Sequence, residues 1–107
     1  MTRIIAGEAR GRRLVAPKGE TTRPTSDRAK EAIFSSWSTR FGLEGTRVLD
    51  LFAGSGALGL EAASRGARSV VLVENDPNAI AAIEKNIRTV GHPDVALSPM
   101  KVSSYLA

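Results

Sequence analysis

The feature that most constrains this chain is a strand that breaks into a glycine-rich turn and resumes as a helix. Arg47-Val48-Leu49-Asp50-Leu51-Phe52 is an apolar run interrupted by one acid, and Ala53-Gly54-Ser55-Gly56 leads into a helix ending near Arg65-Gly66. Gly54-Ser55-Gly56-Ala57-Leu58-Gly59 fits G-x-G-x-x-G, and a second strand, Ser69-Val70-Val71-Leu72-Val73-Glu74, ends on an acid 20 residues after Gly54. Strand, tight turn, helix and second apolar strand make a βαβ unit with parallel strands. Asn75-Asp76-Pro77 starts another helix, with Asp76 as cap and Pro77 in its first turn; Ile80, Ile83, Ile87 and Val90 mark its buried face and Gly91 closes it. Strands this poor in polar residues, alternating with helices, indicate an α/β parallel sheet covered on both faces. Val95-Ala96-Leu97 is a candidate third strand, and Val102 to Leu106 a candidate further helix.

The glycines let a backbone approach a ligand closely, and a carboxylate ending the second strand can accept hydrogen bonds from both hydroxyls of a ribose. A packing role for the glycines alone does not account for Glu74 standing where a ribose would need it, so the pattern points to a nucleoside cofactor. Asp50, four residues before Gly54, separates two classes of cofactor. A dinucleotide places its pyrophosphate on the helix N-terminus, where a nearby carboxylate would repel it. The same carboxylate suits a ligand carrying an ammonium and a sulfonium. Asp50 can also hold the loop by accepting backbone N–H bonds, and the two roles can coexist.

Upstream, Arg3-Ile4-Ile5-Ala6-Gly7 and Arg12-Arg13-Leu14-Val15-Ala16 read as two strands of a hairpin, followed by Pro17-Lys18-Gly19. Thr21 to Pro24 is a connector, and Thr25 or Ser26 can cap a helix from about Asp27 to Ser38. Ala29, Ile33 and Trp37, with Phe34 beside them, give that helix one apolar stripe, and Trp37 is expected in the core.

Charge divides the chain at the same place. Residues 1–30 carry eight bases and three acids, +5, while the remaining 77 carry seven bases and eight acids, −1, within a total of +4. Six of those eight bases are Arg, whose planar fork grips phosphates in pairs. The first third is therefore a candidate polyanion-binding arm, as against a solvated face that serves solubility. It contains no aromatic residue, so gripping of a nucleic-acid backbone is favoured over base stacking. With no cysteine, neither a disulfide nor a Cys-type zinc site is available, and no metal ligand set is expected. No apolar run approaches the length of a membrane span, and the N-terminus lacks the apolar core of a signal peptide, so the reading is cytoplasmic. His92, the only histidine, sits in a Gly-His-Pro turn and reads as a surface-loop residue rather than a catalytic one.

Asp50-Leu51-Phe52-Ala53-Gly54-Ser55-Gly56-Ala57-Leu58-Gly59-Leu60-Glu61-Ala62 resembles the first motif of class I S-adenosylmethionine-dependent methyltransferases, in the form found in the bacterial 16S rRNA guanine-N2 methyltransferase (RsmD-like) family. Arg3-Ile4-Ile5-Ala6-Gly7, Arg10-Gly11-Arg12 and Arg23-Pro24-Thr25-Ser26-Asp27-Arg28, with Glu31 and Phe34, resemble that family's N-terminal signature. The resemblance covers residues 3 to about 90 well. It implies an incomplete Rossmann-like methyltransferase fold with a basic hairpin and helix beside the cofactor, divided as residues 1–45 for RNA and 46–107 for S-adenosyl-L-methionine. It further implies that Asp50, Gly54, Ser55 and Gly56 line the methionine part, that Ala53 is among the cofactor-binding residues, that Phe52 packs near the cofactor, that Glu74 takes the ribose and that Asn75 lies beside the adenine. Thr25 and Asp27 would approach the methionine end. Arg3, Arg10, Arg12, Arg13, Lys18 and Arg23 would face 16S rRNA in the small ribosomal subunit, with no role for DNA or a membrane.

In this family an Asp-Pro-Pro-Tyr/Phe motif receives the target amine and stacks on the base, and this sequence does not contain it. Asp76-Pro77-Asn78 and His92-Pro93-Asp94 lack its second proline and its aromatic residue. Where the family usually has an Asp or Asn for the adenine amino group, the nearest counterpart is Lys101. No catalytic residue is therefore assigned. The 107 residues are expected to be the N-terminal half of such an enzyme, unable to methylate alone, with an uncovered apolar side that invites self-association. A non-catalytic RNA- or cofactor-binding module is the alternative; a dinucleotide-binding fragment is disfavoured by Asp50.

Overall fold

A computed structural model describes residues 2–19, 27–40 and 42–107, with Asp27 and Ser38 described by backbone alone. The elements run β1 (Thr2–Arg3), β2 (Arg13–Leu14), α1 (Asp27–Arg40), β3 (Arg47–Asp50), α2 (Ala57–Ser64), β4 (Ser69–Val73), α3 (Pro77–Val90), β5 (Val95–Ser98) and α4 (Val102–Leu106). β3, β4 and β5 form a parallel sheet in that order, with Val48 opposite Val70, and Val70 opposite Val95. The strand–turn–helix reading of residues 47–90 stands, and the candidate third strand and final helix are both present.

Gly59 fixes how close α2 lies to the sheet. A Cβ there would stand 2.3 Å from Leu72 Cδ2 and 3.1 Å from Val70 Cγ1, so any other residue would have to displace these buried side chains for the helix to settle onto β4. Val70, Leu72, Leu60 and Ile83 are buried at this contact, which forms the centre of one core. The opposite face of the sheet is more open: Val71 is half-buried, Ala96 is exposed and Leu49 is 46% exposed. Among the described residues the sheet is thus covered on one face, where the apolar strands had suggested two.

The arm is stitched to this core rather than hung beside it. β1 and β2 pair antiparallel over two residues each, Thr2 with Leu14 and Arg3 with Arg13, much less than the runs Arg3–Gly7 and Arg12–Ala16 suggest. The Ile4 N–H still donates to the Arg12 carbonyl (2.9 Å), and the Gly11 N–H to the Ile4 carbonyl (2.8 Å), but much of the remaining backbone has other partners. Ile5 and Ala6 donate their N–H groups to the carboxylate of Glu61, at 2.9 and 3.1 Å. The Ala9 N–H goes to Ser64 Oγ (2.9 Å), and the Val15 N–H goes to Asn86 Oδ1 (2.8 Å). Gly7 crosses the end of α2 at φ +89°, where a Cβ would overlap the Ser64 carbonyl. Ile4, Ala9 and Leu14 from the arm join the same apolar cluster as Leu60 and Leu72.

Lys30 is part of this stitching. Counted in sequence with the basic arm, it is fully buried, its ammonium 3.2 Å from Glu61 Oε1. Arg65 closes the other side of Glu61 at 2.9 Å, stacks on the Phe34 ring at 5.0 Å and reaches Glu31. In α1 only part of the expected stripe is core: Phe34 is buried, whereas Ile33 is 45% and Trp37 39% exposed. The tryptophan stacks on Phe34 instead, and the two residues border an open cavity beside β3.

Candidate functional site

Parallel strands bring the two singled-out acids to the same end of the sheet, Asp50 closing β3 and Glu74 following β4. The loop between β3 and α2 is held by its neighbours. The Ala53 N–H donates to the Val73 carbonyl (3.2 Å) and the Gly56 N–H to the Ala53 carbonyl (2.7 Å). Gly54 and Gly56 have φ of +57° and +83°, the left-handed conformation that glycine adopts at least cost. A Cβ at Gly54 would meet nothing within 4 Å, which leaves its surface open to a ligand.

Glu74 organises this end of the sheet. Its Oε1 accepts the Gly54 N–H at 2.8 Å, across the 20 residues read in sequence as a spacing, and its Oε2 accepts the Asp76 N–H at 3.1 Å. A carboxylate offers about four lone-pair sites, so two such bonds leave capacity for ribose hydroxyls. Asp50 is half-buried, and its carboxyl is raised above the usual aspartate range, first by burial. The N–H groups of Gly59 and Phe52 oppose the shift, and the negative charge of Glu74 adds to it. Burial and the Glu74 charge thus both disfavour an ionised Asp50, a penalty that a cationic ligand beside it would relieve.

Two hollows meet at Glu74. One, of about 290 Å³, lies between Phe52, Glu74 and Asn75 on one side and Met100, Lys101 and Ser103 on the other. The second, of about 360 Å³, is more polar and lies between Gly54, Glu74 and Asp76 and the arm residues Pro17, Lys18 and Gly19. Phe52 is 81% exposed and borders the first hollow; Ala53 is buried, and Asn75 is exposed beside Glu74. The structure thus brings Asp50, Phe52, Ala53, Gly54, Ser55, Gly56, Glu74 and Asn75 to one end of the sheet. Thr25 and Arg23 lie outside the described residues, as does the side chain of Asp27.

Sequence reading missed three contributors. Met100 and Ser103 follow the weakest strand of the pattern, and nothing local marks them as cavity wall. Asn86 was legible in principle, being the polar residue on the Ile83, Ile87 and Val90 face. It is fully buried and holds the Ser55 carbonyl at 2.8 Å.

Of the bases assigned to RNA, Arg3, Arg10, Arg13 and Lys18 are exposed. Arg12 is exposed as well, but its Nη1 donates to the Thr89 and Val90 carbonyls at 3.0 and 2.8 Å, closing the C-terminal end of α3. His92 accepts the Asp94 N–H on Nδ1 (3.0 Å), so the Nε2 proton faces the Ala67 carbonyl (3.0 Å), a loop-joining role. Among the described residues no group of three or more His, Cys, Asp and Glu could hold a metal, and no helix is long and apolar enough to cross a membrane.

The family described as Conserved hypothetical protein 95 matches residues 2–106. The chain belongs to this family. It is 47% identical over 88 residues to the "Putative rRNA methyltransferase YlbH" of Bacillus subtilis, covering 82% of this chain and 47% of that protein. It is 40% identical over 105 residues to "Ribosomal RNA small subunit methyltransferase D" of Escherichia coli, covering 98% of this chain and 52% of that protein. A solved structure titled "Putative methyltransferase yhhF from Escherichia coli" superposes with a TM-score of 0.85 at 40% identity, over 99% of this chain and 56% of that one. Membership of this RsmD-like family and a Rossmann-like methyltransferase fold, both expected from sequence, are borne out. The chain spans about half the length of these curated family relatives.

Proposed function

We propose that the chain carries the cofactor-binding part of an S-adenosyl-L-methionine-dependent methyltransferase that modifies the exocyclic N2 amine of a guanine in 16S rRNA, a cytoplasmic activity. The supporting observation is the Glu74 carboxylate bonded to the Gly54 N–H, with Asp50 ending the adjacent strand. Two carboxylates around a glycine loop oppose a pyrophosphate and suit a cationic methionine group beside a ribose. When bound, the cofactor supplies an electrophilic methyl group. The chain's part would be to orient it, with Asp50 facing the charged end, Glu74 the ribose and Phe52 and Asn75 the adenine hollow, while Arg3, Arg10, Arg13, Lys18 and Arg23 grip RNA phosphates. Thr25 and Asp27 would close the methionine end.

Calorimetry tests the cofactor reading: S-adenosylmethionine binds, NAD does not, and Glu74→Ala abolishes the heat. Failure to bind S-adenosylmethionine together with salt-sensitive RNA affinity would favour a non-catalytic RNA module. Because the sequence contains no Asp-Pro-Pro-Tyr/Phe motif to receive the amine, the 107-residue chain is expected to transfer no methyl group to small subunits lacking the modification; detectable transfer would sink that expectation. Ile33, Trp37, Leu49 and Phe52 also form an exposed apolar surface beside β3, whose other edge pairs with β4. We expect this surface to drive self-association, read as a concentration-dependent mass in sedimentation.

A further inference from the structure

Asn86 is the one fully buried amide on α3 that reaches both functional regions. Its Oδ1 accepts the Val15 N–H at 2.8 Å, and its Nδ2 donates to the Val15 carbonyl at 2.9 Å and to the Ser55 carbonyl at 2.8 Å. Both amide protons are thereby used, one on the arm and one on the glycine-rich loop. Asp would lack these donors, and an apolar side chain would strand two carbonyls and an N–H in the interior. A second observation joins the same two regions. Two residues after Val15, the segment Pro17-Lys18-Gly19 forms a wall of the polar hollow whose opposite side is Gly54, Glu74 and Asp76. A shift of the arm at Val15 therefore changes the shape of the hollow, and a ligand that fixes the loop at Ser55 fixes one of the partners of Asn86.

We propose that Asn86 is a positioning residue that couples the arm to the cofactor loop, so that a ligand in the cleft preorganises the arm for RNA and RNA on the arm preorganises the cleft. The identity of the two ligands rests on the function proposed above; the mechanical link does not. Such coupling is reciprocal, each ligand raising the affinity for the other by the same factor.

Native-state hydrogen exchange on the 107-residue chain tests the link without ligand. The Val15 N–H and the Gly54 and Gly56 N–H groups are expected to open together, with the same denaturant dependence. Independent opening would overturn the proposal. S-adenosylhomocysteine is then expected to slow exchange at Val15, beyond the hydrogen bonds of the loop itself, and to tighten binding of a 16S rRNA transcript by about fivefold or more. In Asn86→Ala the RNA affinity without S-adenosylhomocysteine stays measurable and the enhancement falls to none. An enhancement that survives Asn86→Ala would sink the proposal, since a purely structural role lowers stability but leaves the coupling factor intact. Should the variant not fold, the joint opening in the unmutated chain decides. Should S-adenosylhomocysteine not bind, the functional reading fails and the exchange result still judges the link.

Discussion

α1 and α3 are both 14 residues long and offset by fifty positions, so Ile33 and Trp37 of one correspond to Ile83 and Ile87 of the other. Their environments differ sharply. Ile83 is fully buried and Ile87 packs against the core, whereas Ile33 is 45% and Trp37 39% exposed. α3 is the crossover between β4 and β5 and lies across the sheet, while α1 precedes β3, the strand at the sheet's end, where Ile33 and Trp37 border an open cavity. The local chemistry of α3 is also complete: Asp76 accepts the Ala79 N–H at 2.9 Å, Pro77 fills the first turn and Gly91 turns left-handed at its end. Apolar periodicity identifies a helix and its sticky face, but what covers that face depends on strands elsewhere in the chain.

Besides the buried Phe34, what holds α1 is polar. Lys30 donates to the Arg3 carbonyl and pairs with Glu61, which also receives Ile5, Ala6 and Arg65. Removing the carboxylate with Glu61→Ala strands a fully buried ammonium and two backbone N–H groups together. The expected cost is about 3–5 kcal/mol, a large part of the total of about 5–15 kcal/mol for a small domain. Urea unfolding measures it, and a loss below about 1 kcal/mol would mean that α1 and the arm are not anchored there.

The two equivalent isoleucines sharpen the contrast directly. Ile83→Ala opens a cavity between α3, Gly56 and Leu72 and is expected to cost about 2–5 kcal/mol. Ile33→Ala removes a side chain already half in water and is expected to cost under about 1 kcal/mol. Comparable losses in dilute protein would show that α1 is covered in solution. A loss at Ile33 that grows with protein concentration would instead assign the cover to a second copy of the chain.

The same contrast shows what could be read from sequence. Gly54, Gly59, Glu74 and the Asp76-Pro77 start of α3 were legible because each role is dictated locally, by a turn, a close approach, a strand end or a cap. The partners of Lys30 and Asn86 were not, even though the place of Asn86 on the apolar face of α3 was, because Glu61, Val15 and Ser55 lie 31 or more residues away and no periodicity links them. The arm misled for the same reason. Its residues have strand character, yet beyond two pairs and the bonds of Ile4 with Gly11 and Arg12, the N–H groups of Ile5, Ala6, Ala9 and Val15 go to side chains of α2 and α3. Lys30 counted towards the basic surface until its burial removed it.

The smallest expected effect concerns Asp50, on the α1 side of the sheet. Its carboxyl titrates above the usual aspartate range because burial penalises the charge more than the Gly59 and Phe52 N–H groups stabilise it. Below the titration range of the unfolded chain, Asp50 is neutral in both states and costs nothing. As pH rises, the unfolded chain releases its proton first, so the folded state binds more protons and stability falls until the folded carboxyl has also ionised. Asp50→Asn cannot ionise and escapes this loss. Compared by urea unfolding between about pH 3.5 and 7, the two proteins should diverge as pH rises, with the variant more stable at neutrality. Convergence, or the opposite sign, would mean that the loop N–H groups fully repay the burial. The same substitution should weaken S-adenosylmethionine, because the charge that destabilises the ligand-free loop is the charge a sulfonium and an ammonium would neutralise.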